Sequence, residues 1–90
     1  MRIELNNTDP DQLIHEVDGL VADIKPLLAG RHPGVQGAAL AELVALWVAG
    51  HAPMIRDTIV RGHIEVIDKL VPLAERELFG PLGHPARSVS

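Results

Sequence analysis

"PMIRDTIVRGHIEVIDKLVPLAERELF", residues 53–79, is the stretch whose periodicity decides the fold. Wound as a helix, it gathers Asp57, Thr58, Arg61, Glu65, Asp68, Lys69, Glu75 and Arg76 on one side. Ile55, Ile59, Val60, Ile64, Val66, Ile67, Leu70 and Val71 then fill the remaining arc of about 200°. Asp57 precedes Arg61 by four residues and Glu65 precedes Lys69 by four, the order in which such pairs support a helix. Pro53 suits a first helical position. Pro72 falls on the polar side, where a bend around a partner is tolerated. A helix over about 53–79 is therefore expected.

Working outward, "AGHAP" (49–53) and "AGRHPG" (29–34) read as helix breaks, with glycine suited to a helix end at positive φ and proline opening the next element. Between them, residues 33–49 form a second helix with almost no polar side: only Gln36 and Glu42 interrupt it. Leu40, Leu43, Val44, Trp47 and Val48 share one broad face, and Ala38, Ala41, Ala45 and Ala49 the other. A helix apolar all round is expected to be buried on most sides. Before the first break, Leu13, Val17, Leu20, Ile24 and Leu27 recur at spacings of four and three, widened by Ile14, Val21 and Leu28. Asp9 is placed to cap this first helix, about 10–29, with Pro10 next and Gln12 at the capping-box position. Pro26 is expected to kink or end it near Ile24. Residues 1–8 form an extended lead, and 81–90 a flexible tail.

These elements make an all-α, three-helix protomer with antiparallel helices. Two neighbours cannot cover both the second helix and the wide arc of the third, so a homodimeric helical bundle is expected.

Composition narrows the function. The chain is 47% hydrophobic and only 2% aromatic, which removes the stacking platforms used on single strands and RNA bases. A net charge of −4, with acids and bases interspersed, leaves no basic footprint for nucleic acid. The lack of cysteine excludes disulfides, thiolate metal sites and cysteine nucleophiles, and fits a cytoplasmic protein. "MRIELNNTDP" lacks the apolar centre of a secretory signal. The longest apolar run, 37–49, is interrupted by Glu42 and falls short of the roughly 20 residues of a membrane span.

Arg56 and His63 are the anomaly. Seven residues apart, they differ by only about 20° in direction, and both fall in the middle of the apolar arc. A buried guanidinium needs an anion, and Glu42 is the only acid on the second helix. His51, in the second break, completes a candidate binding set of Glu42, His51, Arg56 and His63. The pair reads first as polar locks that specify packing in a core or dimer interface. It reads second as the rim of a small-anion pocket between helices. Third, "RDTIVRGH", with Arg56, the polar Asp57 and six residues before His63, is similar to the arginine–polar–histidine element of the HEPN helical family. That resemblance implies a dimeric, metal-independent ribonuclease in which Arg56 and His63 are catalytic and meet their symmetry mates beside the RNA 2′-hydroxyl.

Other chemistry is sparse. "HEVDG", from His15, lacks the second histidine of a zinc helix, so His15, Glu16 and Asp18 read as a solvated acidic face. His32, His51 and His84 sit in the breaks, suited to capping helix ends. "GRHPGVQG" lacks the lysine and hydroxyl residue of a phosphate loop. No metal or cofactor is expected, and the only serines, Ser88 and Ser90, lie in the tail. An interaction or assembly module with self-association, or a protein partner, is the reading these residues favour over an enzyme.

Overall fold

Asp9 starts the first helix as the sequence anticipates. Its backbone is extended and its carboxylate accepts the Asp11 N–H at 3.0 Å, leaving Pro10 at the first helical position. Each of these satisfies or removes an N–H that the helix itself cannot pair. The structure, a computed structural model, describes residues 9–88; the extended lead expected over 1–8 lies outside them. The described residues form three helices and no strand: α1 (Pro10–Leu28), α2 (Pro33–Ala49) and α3 (Arg56–Phe79). Short 3-10 turns occupy Pro53–Ile55 and Pro85–Ser88. No helix among the described residues is long and apolar enough to cross a membrane.

The chain divides into two units, Met1–Gly50 and His51–Ser90. In the first, α1 does not end near Ile24 but runs through Pro26 to Leu28. Pro26 lies in the last turn, so its missing donor removes one late bond, and the Ala29 N–H still closes the helix on the Lys25 carbonyl at 3.0 Å. Gly30, at φ 76°, turns the chain in a region that side-chain-bearing residues avoid. The Gln36 amide reaches back from α2 to the Leu28 carbonyl at 2.8 Å, tying the two helices at their junction.

In the second unit, the helix expected over 53–79 is divided. Pro53–Ile55 make a 3-10 turn closed by the Ile55 N–H on the Ala52 carbonyl at 3.0 Å, and the α-helix begins at Arg56. Ile55, at φ −108° and ψ −2°, ends the 3-10 turn and is the N-terminal flanking residue of α3. Gly50 sits at φ −69°, contrary to the positive φ expected for that break.

No described residue is fully buried. On α1 the apolar stripe is open along most of its length, only Ile24 and Leu28 being half-buried. On α2, Val44, Trp47 and Val48 are half-buried while Leu40, Leu43 and Leu46 are exposed. On α3, Arg56, Ile59 and His63 are half-buried at spacings of three and four, and the later residues Ile64, Ile67, Leu70 and Leu73 are exposed.

Candidate functional site

Beginning α3 at Arg56 changes what that arginine can reach. At the first turn of a helix a cation meets the positive end of the macrodipole, and Arg56 finds its partner in a backbone carbonyl N-terminal to the helix. Its Nε donates to the His51 carbonyl at 3.1 Å, across the 3-10 turn. The guanidinium thus ties the break at 51–55 to the start of α3. Two of the four candidate residues, His51 and Arg56, are brought together in this way, and both are half-buried.

His63 lies two turns along α3 from Arg56 and is also half-buried, on the same stripe as Ile59. The expectation from their place in the apolar arc is that the pair is largely buried in a protomer or dimer core. Within the single chain both are partly open, and Val60, Ile64 and Ile67 of the same helix are exposed. Gly62 has open space where a Cβ would stand, so no neighbouring backbone exploits its lack of a side chain. Glu42 is exposed on α2, in the other unit.

Two of the three histidines of the breaks, His32 and His84, behave as caps. His32 Nδ1 accepts the Gly34 N–H at 2.9 Å at the start of α2. His84 Nδ1 accepts the Ala86 N–H at 2.9 Å in the same i to i+2 pattern. Each is a His-Pro pair in which the ring nitrogen satisfies a donor that the new turn leaves unpaired; only an unprotonated Nδ1 fills that role. No group of three or more potential metal-ligating side chains is assembled among the described residues.

A further cluster joins the end of α3 to residues 80–87, most of which the sequence reading places in a flexible tail. After α3, Gly80 and Gly83 adopt φ of 83° and 78°, and the Gly83 N–H closes a four-residue turn on the Gly80 carbonyl at 3.0 Å. This folds residues 84–87 back on the helix. Arg87 Nε donates to the Glu75 carboxylate, whose other contacts include the His84 backbone N–H. The His84 ring meets Phe79 edge-on at 4.7 Å. The Arg87 hydrogen bond holds the Glu75 carboxyl below the ordinary carboxylate range; partial desolvation opposes this, and the charge of Arg87 and the His84 N–H reinforce it. Reciprocally, Glu75 raises the pKa of Arg87. A Cβ at position 83 would stand 2.5 Å from Glu75 Oε2 and 3.0 Å from Arg87 Cδ, so a side chain there would push on that pair, and the positive φ itself favours glycine. "GPLG" is a legible turn signal; the long-range pairing of Arg87 with Glu75 has none.

Against models of known families, curated proteins and solved structures, the chain gives no match.

Proposed function

We propose that this chain is a small helical interaction and assembly module that works as a homodimer. In this reading the three helices of each protomer pack antiparallel within a two-chain bundle, in the cytoplasm. One observation carries it: among the described residues none is fully buried, although the helices are rich in leucine, valine and isoleucine. Burial of such side chains stabilises by about 1.5–3 kcal/mol each. A chain that forgoes it within itself gains it against another surface. Arg56 and His63 then specify packing, with Glu42 of the same or the second copy as counter-charge.

Light scattering at micromolar concentration tests the reading. A particle of two chains is expected, and one of 9.7 kDa would sink it. Replacing Arg56 by Met together with His63 by Leu preserves volume and apolar character, so folding should survive or improve if the pair is a packing lock.

The partial exposure of Arg56 and His63 favours a second reading, the HEPN-like metal-independent ribonuclease in which this pair is catalytic. Cleavage of single-stranded RNA in the presence of a chelator, lost in the same double variant, would establish it over the packing role. A small-anion site at the same pair predicts instead that phosphate raises the melting temperature without RNA cleavage.

A further inference from the structure

The stripe of α1 has a heptad grammar that names its partner. Val17 and Ile24 occupy the a positions, and Leu13, Leu20 and Leu27 the d positions. β-Branched residues at a with leucine at d is the arrangement that favours two parallel strands, because it suits the knob geometry of each layer. Ile14, Val21 and Leu28 fall at e, and Glu16 and Asp23 at g. In an antiparallel pair, g meets g, which sets Glu16 and Asp23 against their own copies. In a parallel pair, g meets e, and the acids lie along apolar side chains with their carboxylates outward. The charge pattern therefore selects the parallel arrangement.

Exposure and area agree. Leu20 leaves 60% of its surface open, Val17 58% and Leu27 67%, with Leu13, Ile14 and Val21 also exposed. Half-exposed side chains of this size carry on the order of 100 Å² each, so complete burial of two such stripes would remove at most roughly 1,200 Å². That is the foot of the range of about 1,200–2,000 Å² for specific interfaces. A 19-residue helix is marginal by itself and gains its stability from packing of this kind. We infer that the occupant of the α1 stripe is α1 of a second copy, parallel and in register, forming the seam of the assembly. The inference rests on the self-association proposed above and assigns the surface and orientation through which it occurs.

Since the chain has no cysteine, single thiols test the seam. In a parallel, in-register pair, every a position faces itself within disulfide reach. Val17→Cys and Ile24→Cys should therefore each cross-link in a glutathione redox buffer. Each should do so about a hundredfold faster than Asp18→Cys on the outer face, the ratio of a millimolar effective concentration to a solution of about 10 µM. An antiparallel pair has only one self-facing level, so at most one of the two variants would close. Circular dichroism verifies that each variant is helical, and Leu20→Cys, at a d position, replaces either one that is not. If the wild-type chain has the mass of two chains but fewer than two seam positions cross-link, the seam is overturned and the assembly reading stands. A wild-type mass of one chain overturns both.

Discussion

Glu75 is closed in by Arg87, by the His84 N–H and by Gly83, whereas Leu20 of α1 leaves 60% of its surface to solvent. The two lie on helices of similar amphipathic design, and the difference follows from the kind of interaction each needs. Hydrogen bonds and ion pairs are directional and short, so a brief turn can satisfy them with its own atoms. Apolar burial scales with area, and a single helical stripe has no opposing area until another helix arrives. The C-terminal turn is thus complete in one chain. In the proposed assembly the α1 stripe is half of an interface.

This contrast breaks most sharply at Leu20. Leu20→Asp should weaken self-association by roughly 4 kcal/mol, about a thousandfold in dissociation constant, because a carboxylate would be buried without a partner. Sedimentation equilibrium reads the change directly, and an undiminished dimer would mean that α1 faces solvent in the assembly as well.

Glu42 comes next. It stands on a helix otherwise apolar from Ala38 to Ala49, so assembly would bury it beside a cation. Glu42→Ala should destabilise by about 3 kcal/mol if it strands a buried arginine. An unaltered denaturant midpoint would show that the carboxylate stays in water.

Gly83→Ala sharpens the other side of the comparison. The new methyl meets the Glu75 carboxylate at a positive φ, a strain of about 1–3 kcal/mol, and it falls on a local turn. Amide exchange at Gly80, at the substituted position and at Arg87 should accelerate while the α3 interior stays protected; uniform exchange across both would contradict a self-contained turn.

The smallest effect is that of acid. Glu75 has a depressed pKa in the fold, so its contribution is whole above the ordinary carboxylate range and is lost as pH falls through the depressed value. The C-terminal turn should therefore hold through neutral pH and open only in acid. Glu75→Gln should show the opened turn at every pH, and NMR shifts of the Arg87 Nε–H follow both. An opening centred near neutral pH would show that the Glu75–Arg87 pair does not hold the turn.

The pattern of residues determined by itself that this is an all-α chain, that helices begin at Pro10 and Pro33, and that Asp9 caps the first. Those features depend on periodicity and on donors within a few residues, which any helix of this sequence would present. The stripes of α1 and α3 were legible for the same reason, as were Arg56 and His63 among apolar neighbours. Tertiary structure alone decided that α1 passes through Pro26, that α3 begins at Arg56, and that this arginine spans the break to the His51 carbonyl. It also decided that Arg87 returns to Glu75, twelve residues back. Such contacts depend on where the backbone turns in space: a shift of one residue in a helix start re-aims a side chain by about 100°, and no local pattern records which carboxylate a distant guanidinium will meet.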